Sequence, residues 1–515
     1  MAARIFLSDS EDGKNGKVER NNKNSENEED MEYVALTGAA GLLGSYLLKE
    51  LLRRDIPVLA LIRSSRRESA KQRIEGILRR FENQLGRVLP RPVIMECDLH
   101  KPELGLTKSC LSWLSEHVGS VIHCAASLSF TKDGNGEPYR SNVDGLQHVL
   151  QVCQCASIRK FFHVSTCYVC GLRKGVILES ELDEGQAFAN DYEKSKVEAE
   201  KLVRSCRHID CLTVFRPAII VGDRHTGYTP TFHGFYAPLK ILLPFASPEL
   251  TRRDGFLQFA YMLGMNPEDH KNFVPVDWSA AFMAHVITHP EYHGKTYHLA
   301  SANRVKICEM GEAVCEGIQK YLRRDERHTE LSYGSFDQLL NAFASQMEVY
   351  RSYWKDDPEF DMTNTRSVSP VTLQAPEMTR EVLLTLVQYA IQQNCGWPLP
   401  RVTEIENDVE ARFQAARAIQ YLETQSITAS LPGEICFGLR VSGRGGGDWT
   451  VLQKHGMNFL FRGLPAENLP LMTMNSLTFS AIRERSSEEL LQASSWEDAP
   501  LELKKRAIDL LKNIL

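Results

Sequence analysis

From residue 32 onward, short apolar runs alternate with amphipathic segments. The runs lie at Tyr33–Leu36, Val58–Ile62, Val93–Met95, Val121–Ala125, Phe161–Ser165 and Leu212–Val221. The amphipathic segments between them predict helices at 45–53, 68–85, 109–117, 142–156 and 191–206. Strands that are apolar throughout, rather than at every second position, are typical of a parallel sheet covered on both faces. The pattern therefore predicts an α/β fold with a doubly wound parallel sheet.

The pattern changes on either side of this region, which we place at residues 32–300. Residues 1–31 are polar and predict a disordered tail. Residues 301–398 predict a helical subdomain, with helices at Met310–Tyr321, Phe336–Ser352 and Met378–Gln393. Residues 399–515 predict a smaller α+β domain. Its expected elements are a helix near 405–424, a hairpin of Ile435–Val441 with Trp449–Leu452, a strand at 458–462 and helices near 476–483 and 500–514.

A glycine-rich stretch, Thr37–Gly44, connects the first apolar run to the first helix. A strand, a glycine turn and a helix in this order form a Rossmann-type dinucleotide-binding crossover. Gly38 would permit the tight turn, Gly41 would let the backbone approach a pyrophosphate, and Gly44 would let helix and strand pack closely. The helix N-terminus would then face the phosphates. The residues predicted to contact the nucleotide here are Thr37, Gly38, Gly41, Leu42, Leu43 and Gly44.

The ends of the next strands indicate which dinucleotide is bound. About 20 residues beyond the glycine turn, an acidic side chain would bind the ribose 2′-hydroxyl of NAD. Arg63 stands there instead, and an arginine can pair with a 2′-phosphate. NADP(H) is therefore favoured over NAD(H). Asp98 could accept a hydrogen bond from the adenine amino group or cap a turn, and the small Ala125 and Ala126 would let the backbone lie against the cofactor.

A possible catalytic pair follows the fifth apolar run. Tyr192 and Lys196 are four residues apart, which places them on one face of a helix. A tyrosine with a pKa near 10 is a weak acid at neutral pH, and a nearby ammonium would lower that pKa. Lys196 could also hydrogen-bond the cofactor ribose. Thr166, at the end of the fifth run, would hold the substrate oxygen beside Tyr192.

In these motifs the chain resembles the extended short-chain dehydrogenase/reductase family. The resembling residues are Thr37–Gly44, Asp98-Leu99, Cys124–Ala126, Asn142, Ser165-Thr166, Tyr192–Lys196 and Arg216-Pro217. The resemblance implies that Thr166, Tyr192 and Lys196 form the catalytic triad and that Leu99 lies at the cofactor. It also implies that Asn142 anchors the structure near the active site and that Pro217 meets the nicotinamide carboxamide. His163–Thr166 and Arg216–Gly227 are most similar to the thioester reductase and fatty acyl reductase branch.

Composition narrows the class of partners. The net charge of −6 does not favour nucleic-acid binding, and no apolar run is long enough to span a membrane. The N-terminus lacks the apolar core of a signal peptide, and 13 scattered cysteines suit a reducing compartment, so a cytoplasmic protein is expected. Cys167 and Cys170 are interpreted as structural thiols. We expect no metal site, because the histidines show no metal-binding pattern.

The sequence therefore predicts an NADPH-dependent reductase acting on a small-molecule or carrier-bound acyl or lipid substrate, most concretely an acyl thioester. The segments after residue 225 are rich in aromatic residues and could form its substrate surface or ordinary core. The C-terminal domain weakly resembles a sterol-carrier-type lipid-binding domain. Two alternatives remain open at this point: an epimerase, dehydratase or hydroxysteroid-type dehydrogenase, and a non-catalytic nucleotide-sensing or lipid-carrying scaffold.

Overall fold

A computed structural model describes most of the chain, in two separate units. The described residues are 32–65, 68–243, 257, 260–261, 265–324, 355–368, 373–396, 419–421, 435–442, 447–454, 457–462, 470–475, 478–479, 482, 484–497 and 499–514. The first unit contains the described residues up to Cys395, and the second those from Gly396 onward. The predicted tail at 1–31 and the predicted helix at 336–352 lie outside the described residues.

A seven-stranded, fully parallel sheet organises the first unit. Its strands are β1 (Tyr33–Thr37), β2 (Val58–Ile62), β3 (Val93–Glu96), β4 (Val118–His123), β5 (Lys160–Val164), β7 (Cys211–Pro217) and β11 (Thr296–Leu299). They are ordered β11-β7-β5-β4-β1-β2-β3. The chain order reverses beside β1, so the crevice at the carboxyl ends of β1 and β4 is the expected ligand position of such a fold. The predicted doubly wound parallel sheet is confirmed.

Helices cover both faces of this sheet. They are α1 (Leu42–Leu52), α2 (Ala70–Leu85), α3 (Lys108–His117), α4 (Gly145–Cys155), α5 (Asp191–Ser205) and α7 (Val276–Thr288). One apolar cluster joins α1, α2 and α7 to the sheet, with Leu47, Phe81 and Phe282 fully buried. Another joins α3, α4 and α5 to the opposite face, around Phe161 and Val203. Burial on both faces explains why the strands are apolar throughout.

The apolar run at 212–221 was predicted as one strand, but it forms two. After β7, the chain leaves the main sheet, and β8 (Ile219–Val221) pairs with β10 (Phe273–Pro275) instead. Two further short strand pairs are also formed by residues far apart in sequence: β9 (His270–Lys271) with β12 (Val305–Lys306), and β6 (Val176–Ile177) with β13 (Glu359–Phe360). An apolar pattern gives no information about the partner of a strand. It therefore could not predict that β8 leaves the main sheet and pairs with β10.

Helices α6 (Ala237–Leu242), α8 (Ile307–Arg324), α9 (Thr363–Arg366) and α10 (Arg380–Gln392) extend the first unit. Helices α8 and α10 pack closely: a Cβ at Gly317 would lie 2.3 Å from a methyl carbon of Val387. Their apolar faces share one core with β8 and β10. Phe235 and Tyr236, which could have formed a substrate surface, are 1% and 2% exposed and belong to this core. For these two residues the interpretation as ordinary core is correct.

The described residues of the second unit form a mixed sheet and two helices. Its strands are β14 (Ile419–Tyr421), β15 (Ile435–Ser442), β16 (Gly447–Lys454), β17 (Met457–Arg462), β18 (Leu471–Asn475) and β19 (Ser495–Glu497). The predicted hairpin is present as the antiparallel pair β15 and β16. Residues 419–421, predicted as helix, instead pair with β17. Helices α11 (Ser487–Ala493) and α12 (Leu501–Ile514) bury Leu490 and Leu511 beside Phe437 and Trp449.

The helices of the described residues differ from membrane-spanning helices in length and composition. None of them combines the necessary length with sufficient apolar character.

Candidate functional site

The glycine turn brings β1, α1 and the end of β4 into close contact. Gly38 has φ +74°, and a Cβ there would lie 2.7 Å from the Ala125 nitrogen. A Cβ at Gly44 would lie 2.1 Å from the Gly38 oxygen. Both positions therefore require glycine for steric reasons. Gly41 caps α1 without a side chain, which leaves the N–H groups of the first helical turn, including those of Leu42 and Leu43, for an anionic group.

Thr37 connects the ends of β1 and β4. Its hydroxyl lies 3.0 Å from His123 Nδ1 and accepts hydrogen bonds of 3.2 Å from the backbone nitrogens of Cys124 and Ala125. Thr37 is 1% exposed, so its buried side chain holds the backbone at Ala125 in place. Its contact with the nucleotide stays a prediction. Ala125 is half-buried, and Ala126, which follows it, is exposed.

Asn142 is also a positioning residue. Its amide oxygen accepts a 2.8 Å hydrogen bond from the Ser127 nitrogen, and its amide nitrogen lies 3.1 Å from the Ser127 oxygen and 2.9 Å from Ser195 Oγ. At 2% exposure, the side chain ties the segment after β4 to α5. The structure thus places Asn142 in the anchoring position that the resemblance implied. The polar atoms of its side chain bond to Ser127 and Ser195.

The remaining predicted cofactor residues lie at the ends of β2 and β3. Arg63 is exposed directly after β2, and its carbonyl oxygen accepts a 2.7 Å hydrogen bond from Arg73. Asp98 accepts a 3.1 Å hydrogen bond from the His100 nitrogen, so its carboxylate caps a local turn and remains partly exposed. The Leu99 carbonyl lies 2.7 Å from His148 Nδ1. Arg66 and Arg67 lie outside the described residues.

The predicted triad is brought together at the carboxyl end of β5. Helix α5 begins after Asn190, whose side chain accepts a hydrogen bond from the Glu193 nitrogen, and this places Tyr192 in its first turn. Lys196, one turn later, donates a 2.7 Å hydrogen bond to the Val164 carbonyl. The Thr166 hydroxyl lies beside Tyr192 and donates a 3.3 Å hydrogen bond to the Pro217 carbonyl. Sequence spacing predicted the pair on α5, and the fold places Thr166 and Pro217 beside it.

The electrostatics of Tyr192 differ from the prediction. Burial raises the pKa of the Tyr192 phenol well above its usual value, and only the neighbouring Thr166 hydroxyl opposes this. Burial also lowers the pKa of Lys196 to about 8, although the Glu200 carboxylate opposes the change. The prediction that Lys196 lowers the tyrosine pKa is therefore wrong for this arrangement, in which the ammonium is bonded to a strand carbonyl. A protonated phenol suits a proton donor.

The sequence reasoning missed a buried ion pair below the triad. The Arg216 Nε and Nη2 atoms lie 3.0 and 2.6 Å from the two carboxylate oxygens of Glu200, and both side chains are fully buried. Glu200 follows Tyr192 and Lys196 at the same four-residue spacing, so it lies on their face of α5. This four-residue spacing is visible in the sequence and could have indicated that Glu200 lies near the triad. Because Arg216 precedes Pro217, the pair fixes the end of β7 beside the triad.

Two buried histidines lie behind the glycine turn. His123 and His163 face each other from β4 and β5, with ring centroids 5.9 Å apart. Burial lowers the pKa of His123 to about 3 and that of His163 well below its usual value, so both rings are neutral at physiological pH. Both histidines are therefore structural residues of the sheet.

Neither a thiol pair nor a metal cluster marks the site. Cys167 and Cys170 are buried, and burial raises the pKa of Cys170 to about 12 and that of Cys167 further. Because burial raises the pKa of both thiols well above the usual value, they are protonated and poorly reactive. In the described part of the chain, no group of three or more histidine, cysteine or acidic side chains is arranged to hold a metal ion.

Comparison with known proteins identifies the main domain. Residues 36–283 match the model of a family of NAD-binding domains described as "Male sterility protein". The chain is 25% identical over 312 residues to a nonribosomal peptide synthetase of Aspergillus flavus, and the match covers 57% of this chain and 28% of that protein. It is 27% identical over 286 residues to the L-2-aminoadipate reductase large subunit of Penicillium chrysogenum, covering 51% of this chain and 19% of that protein.

Two solved structures show the same fold. The terminal R domain from the myxalamid PKS-NRPS biosynthetic pathway has a TM-score of 0.56 at 24% identity, covering 72% of this chain and 92% of that chain. The R domain of a nonribosomal peptide synthetase from Mycobacterium tuberculosis has a TM-score of 0.50 at 19% identity, covering 71% and 92%. These two structures show the fold, and the match of residues 36–283 to a family of NAD-binding domains agrees with the resemblance to NAD(P)-dependent oxidoreductases of the extended short-chain dehydrogenase/reductase family.

Proposed function

We propose that this chain is an NADPH-dependent reductase that converts an acyl thioester, bound to coenzyme A or to a carrier protein, into an aldehyde or alcohol. The observation that carries the proposal is the meeting of Thr166, Tyr192 and Lys196 at the carboxyl end of β5, beside Pro217. The family match and the reductase names among the relatives support the same reaction class.

The site residues suit a carbonyl reduction. NADPH, when bound, supplies a hydride to the carbonyl carbon. Tyr192, held protonated by burial, would donate a proton or hydrogen bond to the developing oxyanion, and Thr166 would share that oxygen. With one hydride and one proton added, the carbon–sulfur bond breaks and the products are an aldehyde and a thiol. Lys196, which is charged below about pH 8, would hold the ribose and stabilise the oxyanion's negative charge.

The glycine turn and Arg63 would hold the cofactor. The uncapped first turn of α1 suits the pyrophosphate, and the exposed guanidinium of Arg63 at the end of β2 suits a 2′-phosphate. The 2′-phosphate is the chemical difference between NADP and NAD, so a contact between this phosphate and Arg63 would favour NADP.

Replacing Arg63 with alanine is therefore expected to weaken NADPH binding about 10- to 100-fold, the value of one charge-assisted contact, and to leave NADH binding nearly unchanged. Both affinities can be measured by titrating nicotinamide fluorescence. Arg159, an exposed arginine that precedes β5 and pairs with Asp210, gives a matched control, Arg159→Ala. Equal losses for the two cofactors, or no loss for either, would reject the assignment.

A screen of NADPH oxidation tests the reaction itself. The full chain would be given acyl-CoAs of several lengths, carrier-bound acyl groups, aldehydes, sterols and nucleotide sugars, with the products analysed by mass spectrometry. We expect oxidation with a thioester and release of a free thiol. Turnover of a sterol or nucleotide sugar alone would indicate the hydroxysteroid or epimerase type of activity. NADPH binding without turnover of any carbonyl would indicate a nucleotide-sensing role.

A further inference from the structure

A segment distant in sequence from the triad contacts the catalytic turn. We call residues 355–368 the strap. Its strand β13 pairs in parallel with β6, and α9 lies against β11. The catalytic turn is the segment 166–171, in which Thr166 is followed by a short 3₁₀ helix over Cys167–Cys170. The strap therefore contacts both the sheet and the chain that leaves the catalytic turn.

Asp357 is the main contact of the strap with the catalytic turn. Its carboxylate accepts a 2.7 Å hydrogen bond from the Tyr168 hydroxyl, one of 2.5 Å from Lys271 Nζ and one of 2.7 Å from the Asn272 nitrogen. Asp357 and Lys271 are 4% and 1% exposed. A buried carboxylate that is paired and hydrogen-bonded in this way has one defined position, and it holds its partners in defined positions too.

Tyr168 connects Asp357 to the triad. Its backbone nitrogen donates a 3.3 Å hydrogen bond to the Thr166 hydroxyl, the same hydroxyl that lies beside Tyr192. The ring of Tyr168 also packs edge-on against Phe360 of the strap, with centroids 5.9 Å apart. Two strap residues thus fix the side chain whose backbone orients Thr166.

A second carboxylate makes the reciprocal contact. Glu179, in the chain that follows the catalytic turn, accepts hydrogen bonds of 2.6 and 3.3 Å from the strap nitrogens of Asn364 and Thr365. It accepts two more, from the Thr365 hydroxyl at 3.1 Å and from the His298 nitrogen at 2.9 Å. The carboxylate of Asp357 therefore bonds the strap to the catalytic turn, and the carboxylate of Glu179 bonds the chain after the turn to the strap.

From these contacts we infer that the strap is a positioning element of the active site: Asp357 holds Tyr168, and Tyr168 holds Thr166 in register with Tyr192. The consequence for the reaction rate rests on the proposed reductase function. The consequence for the order of the catalytic turn does not, because it follows from the hydrogen bonds alone. Misplacing a catalytic group by about 1 Å can cost 100-fold in rate, so a distant hydrogen bond can control the chemistry.

The test variant is Tyr168→Phe, which removes one hydroxyl and leaves the Asp357–Lys271 pair intact. Hydrogen-exchange mass spectrometry of the full chain would follow the amides of Tyr168, Val169 and Gly171. We expect these amides to exchange about five-fold faster, corresponding to the loss of one hydrogen bond. With the thioester found by the screen, single-turnover reduction should become about 10- to 100-fold slower while the NADPH dissociation constant stays unchanged.

Tyr297→Phe is the matched control, because its buried hydroxyl donates to the Tyr292 carbonyl and touches neither strap nor turn. Asp357→Asn should shift both measurements in the same direction as Tyr168→Phe. Unchanged exchange in Tyr168→Phe overturns the inference, and so does faster exchange with an unchanged single-turnover rate. If the unmodified protein reduces no carbonyl, the proposed function fails, whereas the exchange experiment still decides whether the strap orders the turn.

Discussion

Replacing Tyr192 with phenylalanine is expected to lower the single-turnover rate of NADPH oxidation by about 10²- to 10⁴-fold, the usual contribution of a general acid. The phenol is the group that burial keeps protonated, and it lies beside Thr166 at the end of β5. The ring itself would remain, so its packing near Phe130, with centroids 6.3 Å apart, should persist. NADPH affinity should therefore change little.

Tyr139→Phe is the control for this prediction. Tyr139 is also half-buried, and its hydroxyl lies 3.3 Å from the Asp191 carboxylate at the start of the same helix. That variant also removes one tyrosine hydroxyl next to α5, but it should keep nearly full turnover. Turnover that survives in Tyr192→Phe would refute the role of Tyr192, and a loss in NADPH binding of the same size as the loss in rate would indicate a structural effect.

Glu200→Gln is expected to destabilise the first unit by about 3–5 kcal/mol, the cost of leaving one member of a buried ion pair without its partner. Arg216 is fully buried and depends on the Glu200 carboxylate for two hydrogen bonds. The loss can be measured as the decrease in the free energy of unfolding in urea, following the transition of the first unit.

The exposed pair Arg159–Asp210 is the matched control, since its side chains are 59% and 60% exposed. Asp210→Asn should change the free energy of unfolding by less than about 1 kcal/mol. In the double variant Glu200→Leu with Arg216→Met, which removes both charges, the loss should be smaller than in Glu200→Gln. If the buried and the exposed pair had equal effects, the Glu200–Arg216 pair would not be the anchor of β7.

Local spacing in the sequence was sufficient for the parallel sheet, the glycine turn and the catalytic pair. Continuous apolar runs specify strands buried on both faces, Gly38 and Gly44 specify close backbone approach, and a four-residue interval places Tyr192 and Lys196 on one helical face. Each of these depends on neighbours within a few residues of the chain, which is why the sequence alone predicts them.

Tertiary structure decided what depends on distant partners and on burial. Tyr168 and Asp357 are 189 positions apart, and nothing in the two sequence segments indicates that they are in contact. The pKa of Tyr192 likewise depends on how completely the fold removes the phenol from water, and this reversed the direction expected from the nearby Lys196. The sequence indicated the candidate groups of the site, and the tertiary structure determined their positions and protonation, because contact and desolvation arise only when distant segments pack together.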